Sequence, residues 1–485
     1  MDRSRLIQDL HGIVGHDGVL FAPEDLLVYE YDGSIDRGLP DLVVLPRSAE
    51  EAARIVRLAA EAGLPVVPRG AGTGLSGGAV AAQGGIAVGF ARMRRILEVD
   101  AVNRLAVVEP GVVNLDLSRA VAHLGLYYVP DPSSQRACTL GGNVAENSGG
   151  PHCLAYGVTT NHVLGLEVVL ADGTITWLGG STAEAPGYDL RGAFIGSEGT
   201  LGIVTKIVVR LLPLPEATIT TLAVFDELDD ASRAVSAIIG RGILPAALEM
   251  MDRTTLAAVA PTVPADYPPD AGAVLLIEVD GLREEVAEQA RMVEEVCREA
   301  GARELRRAED AAGRERLWSG RKGAIGALGR LAPNYYILDG VVPRTRLPEV
   351  LRAVGQIVER HELQVANVFH AGDGNLHPCV LFDEREPGAT ERVLAAGAEI
   401  MRLCLDAGGA ITGEHGVGLE KREFLAWTYS DDDLRVMQQL RAAFQATERF
   451  NPGKVFPSGV ACGEALAGPR RFPQGAGGLP DGLWV

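Results

Sequence analysis

Cysteine is scarce in this chain and is not arranged for cross-linking. The six cysteines among 485 residues are dispersed, and no C-x-x-C pair occurs. Disulfide frameworks belong mainly to small secreted domains, and iron–sulfur clusters need closely spaced thiolates. We therefore expect reduced cysteines, as in a cytoplasmic protein, and no iron–sulfur cluster held by this chain alone.

Long apolar runs and an excess of basic residues are also missing. No stretch of about 18 apolar residues occurs, so we expect no membrane span, and Met1–Leu10 lacks the apolar core of a signal peptide. Lys and Arg number 45 against 64 Asp and Glu, a net charge of −19, which argues against nucleic acid as a partner. The length and the 47% hydrophobic content indicate a globular protein of two or three domains.

The first half of the sequence alternates short strands with a few helices. Pro46–Gly63 predicts a helix, because Ser48 can cap its start and Gly63 can end it. Short apolar runs predict strands at Leu64–Pro68, Ile86–Phe90, Ile96–Asp100, Leu105–Glu109, Leu164–Leu170, Thr174–Leu178 and Leu201–Leu212. The Ala171–Thr174 turn predicts a hairpin between two of them. The proline-rich Pro213–Pro215 junction then ends an α+β unit.

The second half alternates strands with long amphipathic helices. Strands are predicted at Thr218–Phe225, Val274–Val279, Asn334–Val342 and Val365–Phe369, and helices at Asp229–Gly240, Glu284–Ala300, Leu347–His361, Gly388–Ala407 and Asp431–Phe450. This pattern favours an antiparallel sheet with helices on one face, and hence an α+β fold. Pro469–Val485, rich in Gly and Pro, predicts a loose tail.

A glycine-rich loop, Pro68–Gly78, follows a predicted strand. Gly72, Gly74 and Gly77 match the G-x-G-x-x-G fingerprint of nicotinamide-binding folds. No helical periodicity follows, however, and no acidic residue ends a second strand at the required spacing. Glycine lets backbone N–H groups approach a ligand closely and form an anion nest, so a diphosphate would suit this loop. A tight surface turn is the alternative.

Two further glycine clusters, Gly141–Gly150 and Gly196–Gly202, lie in the same half, which suggests one large ligand contacted repeatedly. The P-R-G-x-G-T loop, the P-S-S segment followed by L-G-G-N-x-A-x-N-x-G-G, and G-S-E-G-T-L-G-I together resemble the vanillyl-alcohol-oxidase/PCMH superfamily of flavoproteins. The resemblance is to its branch of D-lactate, D-2-hydroxyglutarate and glycolate dehydrogenases, and it covers about residues 20–460.

Histidines cluster late in the second half. His370 and His377 flank a turn-like Gly-Asp-Gly-Asn segment, where a hairpin can bring them together. A later G-E-H-G segment carries Glu414 and His415. Two histidines and a glutamate can bind a borderline divalent metal with positions left open. Buried histidines that are only hydrogen-bonded in the core are the alternative.

The resemblance implies a fold and a cofactor. It implies a PCMH-type two-part FAD-binding domain (1–215), an α+β cap domain with the substrate and metal–histidine site (216–425), and a C-terminal helical segment packing back on the FAD domain (426–460), before the tail (461–485). FAD is expected to be non-covalent, because the first glycine loop lacks the histidine through which some relatives attach it.

The family motifs also imply which residues contact FAD. Arg69, Gly70, Ala71, Gly72, Thr73 and Gly74 should hold the diphosphate, with Ser76 and Gly77 close to it. Ser134, Gly141, Gly142, Asn143 and Ser148 should lie along the ribityl chain and ring system, with Pro132 and Gly149 in the same segment. Glu198, Gly199 and Ile203 should lie near the ribose and adenine.

The motifs H-x-G-D-G-N-x-H and G-E-H-G look like the catalytic signature of the family. They imply that His370, His377 and Glu414 bind a divalent metal (Zn, Mn or Fe) and that His415 is the general base, whose imidazole titrates near neutral pH. Trp318–Lys322 aligns with the W-x-x-R segment, which implies that Arg321 holds the substrate carboxylate. An arginine on a surface helix is the alternative.

The residues expected near Arg321 favour a small substrate. The hydroxyglutarate branch holds a second carboxylate with polar residues, whereas the equivalents here include Ile325, Ile337 and Cys379. An apolar pocket would leave that carboxylate unpaired at substantial cost. Oxidation of glycolate or D-lactate to the 2-oxo acid, with hydride transfer to flavin N5, therefore fits better.

The segment Trp318–Arg344 is most similar to the FAD-binding subunits of bacterial glycolate oxidases. That similarity implies iron–sulfur partner subunits or a quinone chain that accept the electrons, and at most peripheral association with the inner face of the membrane. Three alternatives stay open: a D-2-hydroxyglutarate dehydrogenase, a non-catalytic flavin subunit of a larger complex, and a metal hydrolase without flavin.

Overall fold

The computed structural model describes residues 2–182, 186–261, 267–308, 310–445 and 449–458. Within these ranges, no helix is long and apolar enough to cross a membrane. The predicted tail at Pro469–Val485 lies outside the described residues. The α+β class expected from the sequence pattern is confirmed by the sheets and helices that follow.

Two sheets, a short ladder that pairs Leu126–Tyr127 with Leu212–Pro213, and their helices form the described part of the first half. The first sheet has the spatial order Val19–Leu20, Leu42–Val44, Ile86–Gly89 and Val66–Arg69, and its last three strands are parallel. The second sheet is antiparallel, in the order Ile96–Asp100, Leu105–Val108, Ile203–Arg210, Val163–Val169 and Ile175–Gly179. The helices are Arg3–Val14, Pro23–Leu26, Ala49–Ala62, Asn114–Val121, Leu140–Glu146, Cys153–Tyr156 and Leu190–Phe194.

The helix Ala49–Ala62 forms for the reasons that the sequence suggests. The Ser48 hydroxyl accepts a hydrogen bond from the backbone N–H of Glu51, and Gly63 ends the helix with φ of 66°. Ile55 and Val56 are fully buried in the core of the first half. The predicted hairpin is also present, because Val163–Val169 pairs with Ile175–Gly179.

A seven-stranded antiparallel sheet organises the second half. Its spatial order is Glu304–Arg307, Ala217–Phe225, Ala273–Gly281, Ala247–Asp252, Gln364–Phe369, Pro378–Phe382 and Asn334–Ile337. Gly340–Val341 pairs with Asn375–Leu376 in a separate short ladder. The helices of this half are Leu228–Gly240, Arg253–Val259, Arg283–Glu299, Ala311–Ala327, Leu347–Arg360, Ala389–Asp406, Leu425–Thr428 and Asp431–Ala443.

Helices cover both faces of this sheet, so the expectation of helices on one face was wrong. Ala223 and Phe225 share a core with helices that include Leu228–Gly240, Arg283–Glu299, Leu347–Arg360 and Ala389–Asp406, whereas Leu222 and Val224 share one with Arg253–Val259 and Ala311–Ala327. The first of these two helices is short, and the second carries polar and glycine residues around much of its circumference. Neither helix therefore shows the apolar periodicity that identifies a helix in a sequence.

Two predicted elements end earlier than expected. The strand predicted at Asn334–Val342 is divided, because Leu338 and Asp339 lie between Asn334–Ile337 and Gly340–Val341. The helix predicted at Asp431–Phe450 ends at Ala443. Beyond it, the chain runs beside the first sheet, where the N–H of Val66 donates to the carbonyl of Arg449 and the N–H of Asn451 donates to the carbonyl of Val66.

Phe450 provides a test of this return of the chain to the first half. Its side chain is fully buried in the core of the first half, so Phe450→Ala should lower the free energy of unfolding by about 3–5 kcal/mol. Chemical denaturation followed by circular dichroism measures this. Val436→Ala is the control, because Val436 is 57% exposed and should change stability by less than about 0.5 kcal/mol. Equal effects would contradict the burial of Phe450.

Candidate active site

A cavity of about 350 Å³ lies between the two halves of the chain. The first half contributes all three glycine clusters to its wall, and the second half contributes the predicted arginine and histidine residues. The predicted site residues that line it are Arg69, Gly70, Ala71, Gly72, Thr73, Gly74, Pro132, Ser134, Gly141, Gly142, Asn143, Ser148, Glu198, Gly199, Arg321, His377, Glu414 and His415. One enclosed space therefore joins the two sets of motifs, and its volume suits a small-molecule site.

Close packing in the first glycine loop explains part of its composition. The Arg69 guanidinium donates to the carbonyls of Tyr29, Tyr31 and Ala79, which holds the loop against the N-terminal segment. Gly72 has φ of +71°, and a Cβ atom there would clash with a guanidinium nitrogen of Arg69. Glycine is required at this position by both the backbone conformation and the space.

Other predicted FAD-binding positions lie just behind the cavity wall. Among the residues that the structure describes, Ser76, Gly77, Gly149 and Ile203 do not line the cavity. The carbonyl of Ser76 accepts a hydrogen bond from the N–H of Leu419, and a Cβ atom at Gly77 would meet the same leucine. Ile203 is buried in the first core. Sequence motifs do not distinguish such supporting positions from those that face a ligand.

The predicted histidine hairpin brings its two rings together. Gln364–Phe369 and Pro378–Phe382 are neighbouring antiparallel strands, and His370 and His377 lie in the connection between them. The Nε2 atoms of His370 and His377 lie 3.0 and 3.1 Å from the same Oε1 atom of Glu414. His370 lies behind the cavity wall, while His377 and Glu414 line it.

The opposite nitrogen of each ring has its own partner. Nδ1 of His377 lies 3.1 Å from the carbonyl oxygen of Leu338, so it must donate its proton there. Nδ1 of His370 lies 2.8 Å from a carboxylate oxygen of Glu249. Both arrangements leave Nε2 facing Glu414, which is the orientation of histidine ligands held by outer hydrogen bonds. Two imidazole nitrogens and one carboxylate are a donor set that fits a borderline divalent metal.

Charges within this cluster shift the pKa values of its members strongly. Burial alone would lower the pKa of His370, but the charges of Glu249 and Glu414 outweigh it and raise the pKa well above its usual value. Burial would raise the pKa of Glu414, but His370 and His377 hold that pKa well below its usual value. A positive charge is therefore favoured where the two rings meet the carboxylate, and either a proton or a metal ion supplies it.

His415 lies beside this cluster as a neutral imidazole. Its ring stacks on the His377 ring at 4.8 Å with an interplanar angle of 4°. Burial is the main cause that lowers the pKa of His415 to about 4. Among the described residues, its Nδ1 atom has no hydrogen-bond partner. Because His415 lines the cavity and its imidazole is uncharged, the ring can accept a proton.

Two buried carboxylates support the histidines, and sequence reasoning missed both. Asp339 is fully buried, and it accepts hydrogen bonds from the Thr412 hydroxyl and from the backbone N–H groups of Gly413, Glu414 and His415. Glu249, 1% exposed, pairs with His370 and Arg321. Each carboxylate stands alone in an apolar run of the sequence, and that contrast could have identified them.

Arg321 is buried within the helix Ala311–Ala327, so the alternative of a surface arginine was wrong. It is 3% exposed and lies 2.5 Å from a carboxylate oxygen of Glu249. Ile325 and Ile337 line the same cavity, whereas Cys379 is fully buried in its strand. The cation therefore faces the cavity among apolar neighbours.

Comparison with known proteins identifies the family. Residues 40–179 match the model of an FAD binding domain, and residues 214–455 match that of the FAD linked oxidases, C-terminal domain. The chain is 45% identical over 465 residues to glycolate oxidase subunit GlcD of Escherichia coli strain K12, covering 96% of this chain and 93% of that protein. The chain belongs to the FAD-linked oxidase family. This FAD-linked oxidase is also 32% identical over 444 residues to D-lactate dehydrogenase of Anaerostipes hadrus, covering 90% and 92% of the two chains.

A solved structure supports the fold of this FAD-linked oxidase. The structure of p-cresol methylhydroxylase with substrate bound matches it with a TM-score of 0.77 at 17% identity, covering 93% of this chain and 96% of the other. The predicted PCMH-type fold is therefore confirmed. The predicted resemblance to the dehydrogenase branch of the superfamily is confirmed by the sequence relatives.

Two glycines of the first loop in this FAD-linked oxidase should respond differently to alanine. Gly72→Ala places a Cβ atom against Arg69 at a positive φ, and it should cost about 1–3 kcal/mol of stability. Gly74→Ala is the matched control, because no atom lies within 4 Å of its Cβ position. Thermal unfolding of the two apoproteins compares them, and a larger loss in the Gly74 variant would contradict the loop geometry.

Proposed function

We propose that this FAD-linked oxidase oxidises a small D-2-hydroxy acid, glycolate or D-lactate, to the 2-oxo acid. The observation that carries the proposal is a single cavity lined by three glycine clusters, a buried arginine and a neutral histidine. The names of the relatives, a glycolate oxidase subunit and a D-lactate dehydrogenase, support the substrate class.

FAD is proposed to bind non-covalently along the glycine clusters. Among the described residues, the histidines that line the cavity are His377 and His415, and both belong to the second-half cluster. When bound, the flavin supplies the acceptor for the hydride, which carries both electrons of the oxidation. Backbone N–H groups of Gly70–Gly74 are suited to a diphosphate, because glycine allows close approach and the loop lines the cavity.

A divalent metal is proposed at His370, His377 and Glu414. When bound there, it would supply a positive charge that lowers the pKa of the substrate hydroxyl. Glu249 would hold the His370 ring with Nε2 directed at Glu414, as the 2.8 Å contact to Nδ1 indicates. Outer partners of this kind hold a ligand ring in one orientation and increase its basicity.

Arg321 and His415 are proposed to bind the substrate and take its proton. The Arg321 guanidinium can hold the substrate carboxylate through two hydrogen bonds. Its pairing with Glu249 fixes the side chain before substrate arrives. The uncharged imidazole of His415 would accept the hydroxyl proton while the α-hydrogen leaves as hydride. The three groups thus hold the carboxylate, hydroxyl and α-carbon in one orientation.

The lining near Arg321 supports a monocarboxylate substrate. Ile325, Tyr335 and Ile337 line the cavity on the side of the second half. A second carboxylate placed among them would lose its hydration without gaining an ionic partner. Glycolate and D-lactate carry one carboxylate each and avoid this cost.

The further organisation is proposed from the relatives. We propose an FAD-binding domain (1–215), a cap domain (216–425) and a C-terminal segment (426–460) that packs back on the FAD-binding domain. The contacts of Phe450 and Asn451 with the first half support this return of the C-terminal segment. Because one relative is named a subunit, we propose that iron–sulfur partner subunits receive the electrons, at the cytoplasmic face of the membrane.

Anaerobic flavin reduction tests the proposed substrate. Glycolate and D-lactate should bleach the flavin absorbance of the purified protein, L-lactate should not, and D-2-hydroxyglutarate should act poorly because its second carboxylate lacks a partner. Bleaching by D-2-hydroxyglutarate alone would identify that acid as the substrate instead. No bleaching by any of the four acids would refute the proposal, and a purified protein without flavin would favour a metal hydrolase.

His415→Ala provides the matched variant in the same experiment. It should retain FAD, because the imidazole is proposed to act on the proton and not on the cofactor. The rate of flavin reduction should fall by about 100-fold or more, since positioned acid–base groups contribute rate factors of this size. Unchanged reduction would exclude His415 as the base.

Metal binding can be tested separately from turnover. Protein stripped by a chelator should bind one Zn²⁺ or Mn²⁺ in a calorimetric titration, and Glu249→Gln should weaken that binding by about 10–100-fold through loss of the His370 partner. Glu167→Gln is the control, because Glu167 is also buried but bonds Thr205 and Lys206 in the first half. If both variants bind metal as the unchanged protein does, the assigned role of Glu249 is wrong.

A further inference from the structure

A group of charged residues around the buried Glu278 joins the two halves beside the cavity. His152 and Asp131 come from the first half, and Glu278 comes from the central strand Ala273–Gly281 of the second half. Nδ1 of His152 lies 2.9 Å from Asp131, and Nε2 lies 3.3 Å from Glu278. We call His152, Asp131, Glu278, Arg314 and Trp318 the His152 junction. The proposed reaction does not use it.

Glu278 is the centre of the His152 junction. It is 1% exposed. Its carboxylate accepts two hydrogen bonds from the Arg314 guanidinium, at 2.8 and 2.6 Å, one from the Trp318 indole at 2.7 Å, and one from the Thr220 hydroxyl at 2.6 Å. A buried carboxylate is stable only with such partners. The strand therefore fixes the start of the helix Ala311–Ala327 through directed bonds.

His152 is held in this junction as a cation. Burial would lower the pKa of His152, but the charges and hydrogen bonds of Asp131 and Glu278 outweigh it and raise the pKa to about 10. The imidazolium and the Arg314 guanidinium then balance the two carboxylates. Both ring nitrogens donate, one to each half of the chain, so the ring links the halves in one orientation.

The junction controls Trp318 from two sides. The His152 ring stacks on the Trp318 indole at 5.6 Å with an interplanar angle of 24°, while Glu278 accepts the indole N–H. Trp318 is 5% exposed and lies one helical turn before Arg321. Because residues three apart share a helix face, a shift of the indole displaces Arg321. Asp131 immediately precedes Pro132, which lines the cavity.

We propose that His152 is a positioning residue that sets the place of Arg321 relative to the flavin wall of the cavity. The imidazolium connects the Asp131–Pro132 wall to the indole that orients the arginine helix. This inference rests on the proposed role of Arg321 in binding the substrate carboxylate. Loss of His152 should therefore weaken substrate binding more than it slows hydride transfer.

Tyr156 provides a control that distinguishes the positioning role of His152 from a general contribution to the contact between the two halves. Its hydroxyl donates to a carboxylate oxygen of Asp280 at 2.7 Å. This bond joins the same two halves, but it ends on the strand Ala273–Gly281 and not on the arginine helix. Tyr156→Phe removes one cross-half hydrogen bond and leaves His152 in place, so it is the matched control.

The experiment compares the flavin-loaded protein with His152→Gln, His152→Ala and Tyr156→Phe. Anaerobic reduction at increasing glycolate concentration gives a dissociation constant and a limiting rate for each, and the flavin content is measured before mixing. His152→Gln should raise the dissociation constant about tenfold, as expected for loss of charge-assisted bonds, with a smaller fall in the limiting rate and unchanged flavin content. Tyr156→Phe should behave like the unchanged protein. Glutamine keeps most of the volume of the histidine side chain, so His152→Gln decides the question if His152→Ala does not fold.

Titration of the oxidised, flavin-loaded protein with oxalate gives a dissociation constant for oxalate that is independent of turnover. Equal constants in the unchanged protein and His152→Gln would overturn the inference, and so would an equal weakening in Tyr156→Phe, which would indicate general loosening of the interface. If neither glycolate nor D-lactate reduces the unchanged protein, the proposed function fails, and the oxalate titration alone decides the role of His152. Absence of any oxalate response in the unchanged protein would also overturn it.

Discussion

The need to pair buried charge governs the arrangement of this active site. A carboxylate without partners in a low-dielectric interior costs several kcal/mol, so each buried acid must lie beside donors or cations. Glu249 satisfies this need with Arg321 and His370, and Glu414 satisfies it with His370 and His377. The proposed substrate anchor and the proposed metal ligands are thus members of one continuous ionic chain. A change at any member would remove one partner from each of its neighbours.

The backbone of the G-E-H-G segment obeys the same constraint. Asp339 accepts three successive N–H groups from Gly413 to His415, which orients Glu414 towards the histidine hairpin and places the His415 ring against His377. A carboxylate without positive neighbours would not remain ionised at this depth, but Lys421, whose Nζ lies 3.5 Å from Asp339, helps to hold the pKa of Asp339 well below its usual value against the effect of burial. One aspartate therefore positions two residues that the sequence motif names.

Local sequence patterns were enough to predict the elements that are determined by residues close to them in the sequence. The helix Ala49–Ala62 has its cap and its end within a few residues, and the hairpin around His370 and His377 follows from a turn between two apolar strands. The family motifs led to the residues around the cavity. Glu249 and Asp339 were missed, because Arg321 lies 72 residues from Glu249 and the hydrogen-bond donors to Asp339 lie 73 and more residues away in the chain.

The helix Ala311–Ala327 shows why the second face of the sheet could not be predicted either. Its buried side includes Trp318 and Arg321, which are polar or amphipathic, so apolar periodicity does not reveal which face packs on the sheet. Glu278 accepts the indole N–H of the buried Trp318, and Glu249 balances the charge of the buried Arg321. Both carboxylates come from distant strands, and this long-range pairing is absent from any local pattern.

The relative orientation of the two halves depends on directional hydrogen bonds more than on the buried apolar area. Apolar burial favours contact between the halves without specifying their relative orientation. Hydride transfer, in contrast, requires that a flavin and a substrate be positioned to within a fraction of an ångström. Glu198 accepts the N–H groups of Val417 and Gly418, while Asn451 donates to the carbonyls of Gly78 and Glu198. These bonds connect the third glycine cluster directly to the loop that carries His415. The proposed flavin-binding wall and the proposed base are consequently fixed to each other by hydrogen bonds, and the relative orientation of the halves follows from polar chemistry, not from the size of the core.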